Sequence, residues 1–264
     1  MEGLQRITWD FDIPNRLPKT MKSGVIILEA FIKTKLHPWK DSEREEGENK
    51  LRVNWPKYAI AVCRITSMTS QEQGTSLFII RKNKTSPNPE GRVHSEMVLL
   101  QRIETMANCG KIPDNSEIKI FLTFSPCKKC TDELLGTNQQ PGRLRVLRDR
   151  FRVTIIFSGL YYLRLPTCYK SKCPGWWKKC QCRRDDDALK NLMVLGASPI
   201  KKEDWDELID LLKRYDLKRQ DTDTWQTLHE LRYGSEYKKW RDWEDDRMKR
   251  GYEIKRSEFF RNEE

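Results

Sequence analysis

A chain of 264 residues can bury one sizeable core, and this one reads as a single main domain rather than two. Its net charge of +11 and charged fraction of 34% exclude a membrane-embedded protein and favour an acidic partner, nucleic acid before any membrane surface. No apolar run reaches spanning length and the first residues, Met1 to Arg6, lack the apolar centre of a signal peptide, so the expected setting is cytoplasmic or nuclear rather than secreted.

In chain order, 24–34 (GVIILEAFIKT) is too densely apolar to separate a helix from a buried strand. Residues 37–50 are polar and Glu-rich, the pattern of an exposed loop. Residues 58–66 (YAIAVCRIT) and 76–82 (SLFIIRK) read as strands, and the polar stretch between them suggests a hairpin. A proline-containing loop, 83–91, precedes a helix over 94–106, where Met97, Leu100, Ile103 and Met106 form one stripe. A third strand is expected over 118–124, then a helix opening at Cys127 and running to about 135. Residues 152–157 (RVTIIF) give a fourth strand, followed by a basic, Cys-rich loop.

Asp185, Asp186 and Asp187 suit the positive end of the next helix. Residues 204–215 are amphipathic, with Trp205, Leu208, Ile209, Leu211 and Leu212. Residues 225–250 read as one long charged helix carrying Trp240 and Trp243, its charges cancelling in i,i+4 pairs. Alternating strands and helices over 58–215 imply an α/β core whose sheet is covered by helices.

The chemistry concentrates in two short segments, His94-Ser95-Glu96 and Ser125-Pro126-Cys127-Lys128-Lys129-Cys130. A lone His or a lone CxxC is more often structural than catalytic. Here each falls at an expected helix N-terminus, where the helix dipole favours thiolate. One imidazole and two thiolates make three ligands of a zinc tetrahedron and leave the fourth position to water, the arrangement of a catalytic site. Zinc lowers the pKa of such a water to roughly 7. Glu96, two residues past His94, is spaced to carry protons rather than to bind the same metal. The bland alternative is a chance grouping of packed cysteines and a satisfied histidine.

The pattern H-x-E…P-C-x-x-C is that of zinc-dependent nucleobase deaminases. Three further segments sharpen it: Thr123-Phe124-Ser125-Pro126-Cys127, Gly159-Leu160-Tyr161-Tyr162, and Trp225-Gln226-Thr227-Leu228-His229-Glu230. With them the chain resembles the AID/APOBEC family of polynucleotide cytidine deaminases, over about 58–243. The resemblance implies a cytidine deaminase-like fold, a five-stranded mixed sheet flanked by about six helices. It implies zinc on His94, Cys127 and Cys130, with Glu96 as the catalytic acid and base.

It also implies that Phe124 and Tyr161 pack on the target cytosine and that the Ser125 carbonyl accepts from its amino group. Asn83 is the implied sugar contact, with Asn88 competing for the role; Tyr162 and Arg164 join the substrate-recognition loop. The implied activity is hydrolytic conversion of cytosine to uracil in single-stranded nucleic acid, DNA favoured over RNA. The family's roles span DNA and transcript editing, antibody diversification and innate antiviral immunity.

The chain departs from the family at several points. Phe124 stands for a tryptophan and Thr123 for a serine, Gly159 occupies a position where arginine is common, and 168–182 is a longer insertion. The expected organisation is an N-terminal segment 1–57 with a helix and an acidic loop partly packed on the core. A deaminase domain 58–250 follows, with a basic insertion 164–184, and then a charged tail 251–264.

Charge is unevenly distributed. Residues 51–215 carry 29 basic and 17 acidic side chains, and 150–184 hold nine basic residues and no acid. In that tract Arg164, Lys170, Lys172, Lys178 and Lys179 interleave with Tyr161, Tyr162, Tyr169, Trp176 and Trp177, the cations and flat faces that suit single-strand binding. The bland alternative is a solvated loop whose aromatics pack on the core.

Cys168, Cys173, Cys180 and Cys182 fit a second, structural zinc site, disulfides, or ordinary reduced thiols. Cys63 and Cys109 read as packing residues, and His37 and His229 as structural. Two rival functions share the fold: a free nucleotide or nucleoside deaminase, which has no need of a long basic aromatic loop, and a catalytically silent nucleic-acid-binding protein, against which the intact Glu96 argues.

Overall fold

Dense apolar runs over 60–66, 117–122 and 152–157, whose side chains go alternately to the two faces of a sheet, build the centre of the molecule. A computed structural model describes residues 9–10, 24–32, 59–66, 76–82, 93–136, 140–160, 165, 186–217, 224–234 and 237–261. In chain order the elements are β1 (Trp9–Asp10), α1 (Gly24–Ile32), β2 (Ile60–Thr66), β3 (Ser76–Lys82), α2 (Ser95–Asn108), β4 (Glu117–Leu122), α3 (Lys128–Leu135) and α4 (Arg143–Arg148). There follow β5 (Arg152–Phe157), α5 (Asp186–Val194), β6 (Ala197–Pro199), α6 (Lys202–Leu217), α7 (Thr224–His229), a π-helical turn (Glu230–Gly234) and α8 (Tyr237–Phe260).

The sheet has the order β1-β3-β2-β4-β5-β6. β2 runs antiparallel to β3 and β4, as the expected hairpin requires, while β4, β5 and β6 are parallel. Ala61, Cys63 and Ile65 of β2 point to one face with Ile118, Ile120 and Leu122 of β4 and Val153, Ile155 and Phe157 of β5. Ile60, Val62, Phe121 and Ile156 point to the other. Both faces are apolar, so both must be covered. The first packs with residues of α2, α3, α4, α5 and α8, and the second with residues of α1, α6 and α7. The result is a mixed α/β architecture of three layers.

The sheet differs from the expected five strands. Four strands of six or seven residues form its body, and two short strands, β1 of two residues and β6 of three, flank it as edges. β1 pairs in parallel with β3 at Trp9↔Phe78, an edge addition too short to leave an alternating pattern. Eight α-helices, rather than about six, occur among the described residues. One source of the excess is α4, and another is the division of the helix expected over 225–250 into α7, the π turn and α8.

Within the ambiguous 24–34 run, the described residues Gly24–Ile32 form the helix α1, whose Ile27, Leu28, Phe31 and Ile32 are buried in one cluster with Trp205, Leu208 and Leu212. The boundary drawn at 251 falls inside α8. Tyr252 packs edge-on to Phe157, with ring centroids 6.0 Å apart, and its hydroxyl donates to the Ala197 carbonyl. That contact seats the C-terminal helix over the edge strand β6, which explains why the expected tail is helical to Phe260. Cys63 is fully buried as expected, but Cys109 is exposed, because it caps α2 where the helix turns into solvent. No described helix is long and apolar enough to cross a membrane.

Candidate metal centre

The site forms where β4 ends and two helices begin. Thr123, just past β4, accepts at Oγ1 from the Ile60 amide (2.9 Å), while its own amide donates to the Ile60 carbonyl (3.0 Å). The Ser158 hydroxyl donates to the Thr123 carbonyl at 3.0 Å, and the Ser125 amide donates to the Gly159 carbonyl at 2.7 Å. These buried bonds fasten the segment leading to Cys127 both to β2 and to the exit of β5. The site thus lies outside the carboxyl end of a parallel strand, the usual location for ligands in such sheets.

His94 and Cys127 each stand as the N-cap of the helix they open, α2 and α3, with extended backbone (φ −73°, ψ 155° and φ −73°, ψ 166°). The His94 carbonyl accepts the first amides of α2, yet its imidazole takes no part in the cap. That leaves the ring to meet the cysteines. Nδ1 of His94 lies 3.4 Å from Cys127 Sγ and 3.3 Å from Cys130 Sγ. The three ligand atoms all fall within 4.8 Å of one another.

Zinc–nitrogen and zinc–sulfur bonds of ordinary length place N and S roughly 3.6 Å apart along a tetrahedron's edge. The observed spacing fits that edge closely. These residues can hold a metal ion, and a donor set of one nitrogen and two sulfurs is compatible with zinc.

Electrostatics point the same way. Hydrogen bonding to Cys127, then to Glu96, pushes His94 up to about 10. Hydrogen bonding from Cys130 pushes Cys127 down to about 4 against the cost of burial, with His94 assisting. Cys130 is pushed up, by its bond to Cys127 first, then by burial and the Glu96 charge. A protonated imidazole beside a thiolate therefore takes the place of a bound cation among the three donors. A divalent metal displaces such protons when it binds.

The Glu96 side chain is only 9% exposed and its Oε1 is 3.7 Å from His94 Nδ1. The Ser95 hydroxyl, itself buried, donates to Glu96 Oε2 at 3.3 Å. A carboxylate held beside the donor cluster, by a residue other than the ligands, can transfer protons there.

The structure therefore brings together the four residues on which the chemistry was expected to rest: His94, Glu96, Cys127 and Cys130. Phe124 is half-buried and Ser125 fully buried in the segment entering the site. Asn83, Tyr161, Tyr162 and Arg164 lie outside the described residues, as do Cys168, Cys173, Cys180 and Cys182 and most of the basic tract. His229 is exposed on α7, with its ring 4.9 Å from that of Tyr233.

Sequence reasoning missed Ser95, Thr123 and Ser158 as supports. Ser95 carried a usable signal, a hydroxyl flanked by the ligand and the carboxylate. The other two depend on contacts 63 and 35 residues away in the chain. No protein-family model matches the chain, and no curated protein matches it in sequence.

Proposed function

We propose that the protein is a zinc-dependent cytidine deaminase that converts cytosine to uracil in single-stranded nucleic acid, DNA in preference to RNA. One observation carries the reading: the Nδ1 of His94 meets the sulfurs of Cys127 and Cys130 at 3.3–3.4 Å, with the Glu96 carboxylate beside them. In a purely structural zinc site a fourth protein ligand closes the tetrahedron. Among the described residues the cluster has three donors, which favours a working site over a structural one.

His94, Cys127 and Cys130 would hold the ion. Bound zinc supplies Lewis acidity and makes hydroxide accessible near neutral pH. Glu96 performs the proton work. It accepts a proton from the water that adds at C4 of cytosine, and it delivers protons to the departing amino group, which leaves as ammonia. Ser95 keeps the carboxylate turned towards this work through its hydrogen bond to Oε2. Ser125, fixed through its amide to Gly159, is the implied carbonyl acceptor for the cytosine amino group, and Phe124 the implied flat face for the ring.

The polymeric substrate rests on charge: a net +11 with 35 consecutive acid-free residues, 150–184, which run through β5 and leave its carboxyl end beside the site, where the Gly159 carbonyl accepts from Ser125. Free nucleosides need no such tract.

The test is uracil formation in a cytosine-containing single-stranded oligonucleotide. The wild-type protein is expected to form it and Glu96→Ala to form none, with fold and zinc content retained. Activity on mononucleotides but not on polymers would replace the substrate class. No product from either, with nucleic-acid binding intact in both proteins, would favour a binding protein instead.

A further inference from the structure

The two helices that carry the proposed ligands are joined a second time, away from the metal. Arg143, the first residue of α4, donates Nε to Glu104 Oε1 at 2.8 Å and Nη2 to Glu104 Oε2 at 2.5 Å. Its third nitrogen, Nη1, lies 3.5 Å from Glu133 Oε1. Glu104 belongs to α2, ten residues beyond His94 and roughly 15 Å down the helix axis. Glu133 belongs to α3, three residues beyond Cys130. One guanidinium therefore spans the helix of the imidazole and the helix of the two thiols.

The root of that side chain is fixed as well. Gly142, the N-cap of α4, donates its amide to the Leu135 carbonyl at 3.1 Å. A Cβ on Gly142 would stand 2.1 Å from the Leu134 carbonyl oxygen, and one on Gly136, at φ +79°, would stand 2.1 Å from Gly142 N. Two glycines thus let the start of α4 press against the end of α3 with no side chain between them. A planar fork that makes two parallel bonds to one carboxylate resists rotation, and lysine cannot reproduce it.

We propose that Arg143 is a positioning residue for the metal centre. By clamping α2 to α3 through Glu104 and Glu133, it sets the distance between His94 and the Cys127–Cys130 pair. The inference rests on reading those three residues as metal ligands. Its physical basis is that the donors come from two separate helices, so any slip between the helices appears directly as an error in ligand geometry. Loss of a group hydrogen-bonded directly to a ligand typically lowers metal affinity about 10- to 100-fold, and a clamp acting through the helices is expected at or below the low end of that range.

A neighbouring ion pair serves as the control. Arg150 Nε lies 2.8 Å from Asp114 Oδ1, on loops that follow α4 and α2, so this pair joins neither ligand-bearing helix to the other.

The experiment measures zinc affinity of the purified full chain by competition with a chromogenic chelator. It adds the visible spectrum of the cobalt-loaded protein, whose thiolate charge-transfer band reports ligand geometry. The site is identified as the one missing from His94→Ala.

Arg143→Ala is expected to weaken zinc about threefold to tenfold, less than loss of a direct partner of a ligand would, and to alter the cobalt band. Arg143→Lys, which keeps the charge without the fork, should fall between it and wild type, while Arg150→Ala should match wild type. Unchanged affinity and spectrum in Arg143→Lys and Glu104→Gln would overturn the proposal even if Arg143→Ala fails to fold. A wild-type protein that binds no zinc at this site would overturn the metal reading, and the proposal with it.

Discussion

Two clusters of buried polar side chains lie on opposite faces of the sheet, and they are neutralised in different ways. On the α6 side, the ring of fully buried Trp205 has the guanidinium of Arg232 4.8 Å from its centroid and that of Arg241 at 5.9 Å. Arg241 pairs with Asp245 at 2.7 Å, and Arg232 with Asp242 at 2.8 Å and Asp245 at 3.3 Å. The Trp205 indole donates to Asp245 as well, at 2.8 Å. Three cations, with Lys238 Nζ 3.1 Å from Asp242 Oδ2, share two carboxylates, so this cluster is complete without an added cation.

On the α2–α3 side, two thiols, an imidazole and a carboxylate converge, all of them groups that bind metal ions or carry protons. The first arrangement is what a fold uses to lock elements together. The second gathers metal-ligating donor atoms within 4.8 Å of one another, and that convergence is what makes it a candidate binding site rather than a joint.

The contrast breaks most sharply under substitution of Glu96. Glu96→Gln is expected to lower deamination about 10²- to 10⁴-fold while zinc content and unfolding midpoint stay at wild-type values, read by oligonucleotide assay and metal analysis. The opposite pattern belongs to the complete cluster. Asp245→Ala removes a carboxylate shared by two buried guanidiniums and should cost about 3 kcal/mol in denaturant unfolding. Zinc bound per folded chain should not change.

Loading the metal sharpens the distinction from the other side. Zinc at a thousandfold excess over its dissociation constant should raise the unfolding free energy by about 4 kcal/mol, and a chelator should remove the gain. His94 carries a proton at neutral pH in the metal-free form, so binding releases protons and affinity falls as pH is lowered. Calorimetry in buffers of different ionisation enthalpy measures that release.

Smaller effects test the supports. Thr123→Val removes the acceptor of the buried Ile60 amide and should cost about 1–3 kcal/mol. Ser95→Ala should lower the deamination rate only roughly fivefold, with zinc content unchanged.

The sequence made some of this plain. The 94–106 stripe is the buried face of α2, where Met97, Leu100, Ile103 and Met106 are all 6% exposed or less. The fourth strand, 152–157, is found with the expected limits. The metal trio was legible because its ligand spacing is dictated by coordination chemistry and leaves a mark in the chain.

What was hidden lacked a periodic signal. α4 has only Leu144 and Leu147 to bury in six residues rich in arginine, and β6 is three residues ending in proline. The C-terminal helices misled for a different reason. Their charges do pair at i,i+4, as in Lys238–Asp242 and Arg241–Asp245. However, Arg241 is fully buried and Glu244 nearly so, because α8 docks on the core instead of lying in solvent. Burial of a charged residue depends on which partner a distant segment supplies, and no local pattern encodes that. The break after His229 likewise follows from the π turn that carries Arg232 onto Trp205.

The central claim is that His94, Cys127 and Cys130 hold one zinc ion. The most direct measurement is the zinc content of the purified, folded chain, wild type against His94→Ala, by elemental analysis. The account predicts one zinc ion fewer per chain in the variant, whatever the cysteines at 168–182 bind. Equal content in the two proteins, or no zinc in the wild type, would contradict it.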